Sequence, residues 1–586
     1  MLNRVADLLE IRGENFFKIR AYREAVRQLD NLTTEVEDLI HEGRLKDVPG
    51  IGEAIEKKIV EYVTTGQLDF LTKLEAEVPP ALLELTRVPG LGPRTAKDIY
   101  DALGILSLDD LEQAAQTHRL LQVRGIKAKT EENILKGIAM LKRTEGRIYF
   151  PEAWLLADSL LATLRSQAGV VRAEIAGSLR RASETVGDLD LLVACEDPEA
   201  MCREFALLPQ VSEVIGQGGT KTSVRVRSGM QVDLRAVKPD SFGAAWQYFT
   251  GSQAHNVQLR GRALQMGKLK INEYGVYTDD GRRIAGETEE SVYAAVGCAW
   301  IPPELREGSG EIELAATSLI PALVQIGDLR GDLHTHSNWS DGRNEIAVMA
   351  RAARERGYAY IALTDHTQSL TIAQGLTPER FRARAVEIAA VNAQPGMARV
   401  LSGAEVDILP DGSLDLPDDC LASLDLVVAS VHTALDQPKD EITARVLRAL
   451  RSPHVDVLAH PTSRRLDRRG ETRVDIDAVI AEAVRTGTAL EINSSPFRLD
   501  LNDSWARKAR EAGALLAIDN DAHYPAEYEY VRYGCAIGRR AGLTPDRVLN
   551  TRDADGVLAH CREKQQKAWR ISVEYSNEDL IRRSLG

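Results

Sequence analysis

The segment DLHTHSNWSDG, residues 332–342, sets His334, His336 and Asp341 on one short stretch. Histidines at i and i+2 project to the same side of a strand, and imidazole combined with carboxylate is a metal-binding chemistry. Residues of the same kinds follow: His366 in LTDHT, Glu405 in SGAEVDI, His432 in ASVHTAL, His460 in VLAHPTS, and Asp521 with His523 in DNDAH. Each closes a short apolar or β-branched run, such as YIALTD, LDLVVASV or VDVLAH. One histidine at a strand end is ordinarily structural. Ligand-type residues at a whole series of strand ends point instead to a multinuclear metal centre. His454, in a turn after RSP, lies outside the pattern.

A second constellation is built of carboxylates alone. In GDLDLLVA, Asp188 and Asp190 stand at i and i+2 of a strand and face the same way. MQVDLRAV, a further strand-like run, offers Asp233. Three carboxylates on neighbouring strands can hold two Mg²⁺ ions, with substrate phosphates completing the octahedra. Two such ions activate a hydroxyl and stabilise a leaving pyrophosphate. Upstream, Gly177 and Ser178 are placed to open a helix facing a phosphate, and Arg181 to clamp a triphosphate. The plainer alternative is an exposed turn. Leu189, Leu191 and Leu192, interleaved with the aspartates, count against it.

These residues need elements to hold them. Between residues 331 and 540, apolar strand-like runs alternate with amphipathic stretches such as EIAVMARAARERG. That βα alternation predicts a barrel of parallel strands, whose chemistry gathers at one rim. The N-terminal third is helical and repeats itself: VPGIGEAIEKKI (48–59), VPGLGPRTAKDI (88–99) and VRGIKAKTEENI (123–134). Each is a hydrophobic residue, a tight glycine turn and an amphipathic helix. A helical pattern, TTEVEDLIHEGRL, precedes the first. Free backbone N–H groups at such a turn suit a phosphate, and a glycine lets a DNA backbone approach. Gly50, Gly52, Gly90, Gly92 and Gly125 are the candidate DNA-binding positions, with Lys127 replacing the second glycine of the third copy. A plain Gly-capped turn would explain one copy, but three make DNA-backbone binding the stronger reading.

Bulk properties agree with a multidomain enzyme. The chain has 586 residues, 44% hydrophobic and 27% charged, which is globular composition. The first residues, MLNRVADLLE, show no signal-peptide core, and no apolar run reaches membrane-spanning length. Six scattered cysteines form no CxxC pair. The expectation is a cytoplasmic enzyme with no membrane partner. A net charge of −14 argues against simple coating of nucleic acid, though not against local DNA contacts.

The repeats resemble helix-hairpin-helix motifs, which hold DNA without reading its sequence. GSLRR…GDLDLLV, QVDLR, and then YFTGSQAHNVQLRGRALQMGKLKINEYGVY resemble the family X DNA polymerases, the DNA polymerase beta-like group, over roughly residues 1–305. The resemblance implies Mg²⁺-dependent addition of deoxynucleotides at short gaps. It makes Asp188, Asp190 and Asp233 the carboxylates for two Mg²⁺ ions, with Asp233 as base for the primer 3′-hydroxyl. Gly177, Ser178, Arg181 and Gly187 match triphosphate contacts. Tyr248, Phe249 and Gly251 match the segment under the sugar, and Asn256 and Arg260 contact the nascent base pair and template. Val186 replaces a hydroxyl residue of the animal enzyme, so one phosphate contact is absent. The family's N-terminal domain can also act as a deoxyribose-phosphate lyase. Lys58 falls on the Schiff-base position with Lys18 and Tyr22 in support, while Ala54 stands where the animal enzyme has another lysine.

Residues 331–540 resemble the PHP domain. In that family's arrangement His334, His336, Glu405 and Asp521 hold one metal, Glu405, His432 and His460 a second, and Asp341, His366 and His523 a third. Mn²⁺ or Zn²⁺ (or Fe²⁺) suits such donors better than Mg²⁺. Asn520 sits at a non-ligand position where relatives often carry a hydroxyl. The two resemblances together imply a bacterial-type repair polymerase, acting in base excision repair as a monomer on gapped or nicked DNA with dNTPs. The PHP domain would then be a 3′–5′ exonuclease, with action at abasic sites also open. The alternative is a nucleotidyltransferase fused to a PHP phosphatase for small esters. A non-enzymatic DNA-end scaffold is a third reading, against which the complete ligand sets count. The expected fold is multidomain α/β and α+β. An N-terminal helical domain spans 1–80, helix-hairpin-helix fingers 81–145, a nucleotidyltransferase palm 146–240 and a thumb 241–305. A linker follows over 306–330, then a distorted PHP (βα)-repeat barrel over 331–570 and a tail over 571–586.

Overall fold

The computed structural model describes residues 1–566 apart from 30–39, 41–42, 49, 66–67, 80–81, 83–84, 87, 89–90, 144–145 and 467. Most of the helical stretch expected over 33–45, the position of Gly90, and the expected tail lie outside the described residues. The chain forms two compact units, residues 1–145 with 465–470, and the remainder.

The first unit is helical, and its three sequence repeats fold alike. Each glycine turn is closed by one backbone hydrogen bond: Ile51 N to Val48 O (3.1 Å), Leu91 N to Val88 O (2.9 Å), and Ile126 N to Val123 O (3.1 Å). Gly50 and Gly125 take φ of +82° and +90°, which a side chain would disfavour. Helices Glu53–Thr65, Pro93–Leu103 and Ala128–Arg143 follow the turns. Their first bonds run to the carbonyls of Gly52, Gly92 and Lys127. The valine before each turn (Val48, Val88, Val123) and the apolar residue inside it (Ile51, Leu91, Ile126) enter one core with Leu8, Leu9, Leu74 and Ile99. Burial of that pattern, rather than the turns, holds the unit together.

The second unit begins with a five-stranded mixed sheet of β1 (Val170–Ile175), β2 (Asp188–Cys195), β3 (Val211–Gln217), β4 (Lys221–Val226) and β5 (Gln231–Val237). Its order is β1-β2-β5-β4-β3, with β2 and β5 parallel and the other pairs antiparallel. The central β2 is buried from Leu191 to Cys195, which explains its continuous apolar run. Helices Phe242–Thr250 and Gln253–Gly267 and a small three-stranded antiparallel sheet follow. A buried polar knot joins them to the sheet. Arg180 meets Glu289 through two 2.7 Å bonds, Arg306 meets the same carboxylate at 2.6 Å, and His255 bridges Glu311 and the Tyr293 hydroxyl. The two guanidiniums outweigh burial and hold the Glu289 carboxyl down at about 2. The segment 306–330, expected as a link, contributes the helix Glu311–Ala316 and the fully buried Arg306 to this packing.

The C-terminal part is a seven-stranded parallel sheet in sequential order: β6 (Gly331–Thr335), β7 (Tyr360–Leu363), β8 (Arg399–Asp407), β9 (Leu426–Ser430), β10 (Val457–Leu458), β11 (Ala489–Asn493) and β12 (Leu516–Asp519). It curls until its ends meet. Thr335 and Ala522 bridge in parallel, His336 N donates to Ala522 O at 2.8 Å, and Leu333 N donates to Asp519 Oδ1 at 2.7 Å. A nearly closed barrel results. The buried Asn550 pins the seam, donating to the carbonyls of Gly331 (2.9 Å) and Ile518 (2.6 Å) while accepting from Ile518 N (3.1 Å). Asn550→Ala leaves those buried groups unpaired, a cost of about 2–3 kcal/mol. A denaturant titration of the variant should show that loss, and an unchanged midpoint would refute the role of the seam.

Candidate functional site

Two clusters of reactive side chains lie in the second unit, each set by strand geometry. In the mixed sheet, Asp190 and Asp233 are register partners on parallel neighbours, and Asp188 sits two residues before Asp190 on the same face. Ser223 pairs with Asp233 from the other side. The carboxylates therefore crowd. Burial, then Asp188 and Asp233, push the Asp190 carboxyl up to about 7. Burial also works on Asp233, but bonds from Lys221, Gln231 and Ser223 outweigh it and hold that carboxyl below its ordinary value. Lys221 Nζ lies 2.6 Å from Asp233 Oδ2. An ammonium standing on one of three crowded carboxylates marks a place where cations are wanted, and the residues fit divalent ions with oxygen preference.

Gly177 carries φ of +61°, and a Cβ there would fall 2.0 Å from Asp190 Oδ2. Only glycine lets the loop close over that carboxylate. The cleft in front has a volume of about 420 Å³ and is lined by Gly177, Ser178, Arg181, Asp188, Asp190, Tyr248, Phe249, Gly251, Asn256 and Arg260. All ten are candidates from the sequence. Thr250, Ser252 and Gln253 line it too and were not foreseen, although they adjoin YFTGS. Gly187 is not in the lining; a Cβ there would meet the Arg147 guanidinium at 3.1 Å. Val186 is fully buried. Asn256 is already committed, accepting from Gln247 Nε2 and donating to Tyr248 O at 2.8 Å each.

The barrel brings the nine histidine, aspartate and glutamate candidates to one rim. His336, Asp341, His366 and His523 form one group within ligating reach, His334, His336 and Asp521 another, and His366, Glu405 and His432 a third. His336 and His366 are thus each shared between two groups. His460 joins through Nε2, 3.1 Å from Glu405 Oε1. His334, His336, His366, Glu405 and His460 are buried, His432, Asp521 and His523 partly so, and Asp341 lies at the open edge, so the inner groups feel one another strongly. Burial and the neighbouring rings of His523 and His366 push His336 down to about 4. For Glu405, His366, His432 and His334 outweigh burial and hold its carboxyl well below the ordinary range. The buried Nε2 of His334 and Nδ1 of His336 make no hydrogen bond. Imidazole nitrogens left bare beside carboxylate oxygens fit transition-metal ions.

Sequence reading missed the groups that aim these ligands. Glu491, the carboxylate of β11, accepts from His334 Nδ1 at 2.6 Å and from the His460 backbone N at 2.6 Å. Asp407 takes His432 Nδ1 at 2.9 Å. Both leave Nε2 facing inward, the usual way a ligand histidine is oriented. The available signal was that LEIN was the one barrel strand without an assigned polar residue. Arg498 was also missed. Its Nε lies 3.5 Å from Asp521 Oδ2, and its buried Nη1 has no hydrogen-bond partner. Asn520 donates to Asp332 Oδ2 through its backbone N at 3.0 Å and through its side-chain Nδ2.

In the first unit, Lys58, Lys18 and Tyr22 meet around Phe70, which the sequence did not single out. Lys58 Nζ is 4.8 Å and Lys18 Nζ 5.9 Å from its ring centre, and Tyr22 stacks on it at 6.4 Å. Partial burial, aided by Lys18 against Glu61, lowers the Lys58 amine. At Gly52, Gly92 and Gly125 an added Cβ would meet nothing within 4 Å, so the turns are open on their outer side.

The family model for the DNA polymerase beta thumb matches residues 245–307 and that for the PHP domain residues 332–495. A helix-hairpin-helix domain model matches residues 1–68, and a SAM-like helix-hairpin-helix tandem residues 82–139. The protein named "DNA polymerase/3'-5' exonuclease PolX" of Bacillus subtilis (strain 168) is 38% identical over 565 residues, 95% of this chain and 98% of the relative. A "Probable phosphatase" of Thermoanaerobacter sp. (strain X514) is 30% identical over 255 residues, 40% of this chain and 96% of its own length. Another, of Syntrophotalea carbinolica, is 30% identical over 232 residues, 37% of this chain and 90% of its own. Among the described residues no helix is long and apolar enough to cross a membrane. Glu491→Gln removes the acceptor that orients His334, so metal affinity at the barrel rim should fall roughly 10–100-fold. Mn²⁺ titration followed calorimetrically would show it, and parental affinity would refute the assignment of Glu491.

Proposed function

This chain belongs to the PolX family of DNA polymerases with 3′–5′ exonuclease activity, and we propose that its two clusters divide that work between them. It is a DNA polymerase with a metal-dependent phosphoesterase domain, and its substrates are DNA and deoxynucleotides. The observation that carries the division is that one set of three carboxylates in the mixed sheet and a separate set of histidines and carboxylates at the barrel rim lie in one chain.

In the sheet cleft, Arg181 and Ser178 bind the triphosphate, while Tyr248, Phe249 and the open backbone at Gly251 lie under the sugar. Asp188, Asp190 and Asp233 would hold two Mg²⁺ ions, whose chemistry there would be charge neutralisation at the reacting phosphate. Asp233, kept deprotonated by its hydrogen bonds, accepts the proton of the primer 3′-hydroxyl. The oxygen of that hydroxyl forms the new bond to phosphorus, and pyrophosphate leaves. At the barrel rim the nine ligands would hold up to three ions of Mn²⁺ or Zn²⁺, whose chemistry there would be activation of water and polarisation of the phosphate. Arg498, whose buried Nη1 has no hydrogen-bond partner, would donate to the non-bridging phosphate oxygens. Water's oxygen bonds to the phosphorus of the 3′-terminal nucleotide, and the O3′ of its neighbour leaves. The glycine turns hold the duplex by its backbone. Gapped or nicked DNA as the preferred form, action as a monomer, and a cytoplasmic setting complete the reading. The match of one relative along 95% of the chain favours it over a phosphatase with an appended transferase.

Asp188→Ala should abolish primer extension on gapped DNA and leave 3′ trimming intact. His336→Ala should do the reverse, with Mn²⁺ supporting trimming better than Mg²⁺. A labelled primer with and without dNTPs reads both activities, and loss of both in either variant would refute the division. The cluster at Phe70 supports a lyase. A lowered amine at Lys58 can attack the C1′ aldehyde of an abasic site and expel water to form a Schiff base. Borohydride should trap the parent protein on such DNA and not Lys58→Ala; equal trapping of both would remove the assignment.

A further inference from the structure

The cleft that takes the triphosphate is braced from the barrel. Arg181 donates through Nη1 to the Thr250 carbonyl (2.6 Å) and through Nε to Glu307 Oε1 (3.1 Å). The same Glu307 oxygen accepts from Arg540 Nη1 at 2.6 Å. Arg540 ends the helix Val531–Arg540, which packs on the barrel. Its Nη1 also donates to the backbone carbonyl of Arg181 (2.9 Å), and its Nε to Asp503 Oδ2 (2.8 Å). Arg181 and Arg540 side chains are each 14% exposed, so these interactions are poorly screened.

We propose that Arg540 is a positioning residue for nucleotide binding in the polymerase cleft, acting through Glu307 on Arg181. The charge arithmetic gives the reason. Arg181 and Arg540 balance Glu307 and Asp503, two positive against two negative. Removing Arg540 leaves one guanidinium facing two carboxylates. Glu307 then holds Arg181 alone, and this four-residue cluster behind the triphosphate site gains one net negative charge. The Arg181 carbonyl also loses its donor at the point where the chain turns, Ala182 having φ of +55°. Burial would raise the Glu307 carboxyl, but both guanidiniums outweigh it and keep it ionised. The barrel domain thus tunes the polymerase as well as carrying its own chemistry. This rests on the reading that Arg181 meets the triphosphate.

The test is steady-state dNTP addition on gapped DNA by the full chain, with 3′ trimming measured alongside. Arg540→Ala should raise KM for dNTP roughly tenfold, the scale of coupling between directly touching charged groups, with trimming unchanged. Adding Glu307→Gln should restore the balance and recover most of the loss. Arg540→Lys, which keeps the charge, should fall between the parent and Arg540→Ala. If Arg540→Ala does not fold, the Lys variant with and without Glu307→Gln carries the comparison. Arg181→Ala is the reference. If it raises KM for dNTP while the Arg540 variants match the parent, the brace is wrong. If the Arg540 loss persists in the Glu307→Gln background, action through Glu307 is wrong. If Arg181→Ala itself leaves KM unchanged, the cleft reading and the brace fall together.

Discussion

Ionisable groups brought into direct contact, carboxylates on one another in the sheet and carboxylates on imidazoles at the barrel rim, are the constraint on which both centres rest. A sheet can bring Asp190 opposite Asp233 only by register, and each then raises the cost of ionising the other. At the barrel rim, imidazoles rather than other carboxylates stand beside Glu405, Asp521 and Asp341, and they hold each carboxyl below its ordinary value. Neither arrangement is stable as bare charge. Lys221 covers Asp233 in one, and a ring of imidazoles surrounds Glu405 in the other. Cations would relieve the repulsion among the sheet carboxylates and would take up the bare imidazole nitrogens at the rim, so metal affinity follows from the packing in both.

The two centres differ in how they solve orientation. The sheet site relies on backbone geometry: a parallel register, an i,i+2 pair and a glycine without which the loop could not close on Asp190. The barrel site relies on side chains held by other side chains. Glu491 and Asp407 fix which nitrogen of His334 and His432 faces inward. Open oxygen-rich coordination suits ions that exchange with substrate, whereas oriented imidazoles suit ions that stay.

Between the centres lies an arginine-rich seam. Arg539 meets Glu304 at 2.6 Å, Arg464 meets Glu184 at 2.6 Å, and Tyr533 packs edge-on against Phe150. With the Arg540–Glu307–Arg181 chain, these contacts make the mixed sheet and the barrel one folded unit.

The sequence by itself determined the elements and the ligand types. The βα alternation, the i,i+2 aspartates and the three glycine turns are local patterns, set by periodicity and backbone freedom, and they survive translation into structure nearly residue by residue. Every cleft candidate except Gly187 and Asp233 lines the cleft, and all nine rim candidates converge. Tertiary structure alone decided what spans long separations. Glu491 reaches His334 across 157 positions, Arg540 reaches Arg181 across 359, and Phe70 sits between two lysines on other helices. A glutamate inside an apolar strand and an arginine at a helix end carry no local signature of their partners. Their roles come from which surfaces the fold buries together, and that depends on the packing of the whole chain.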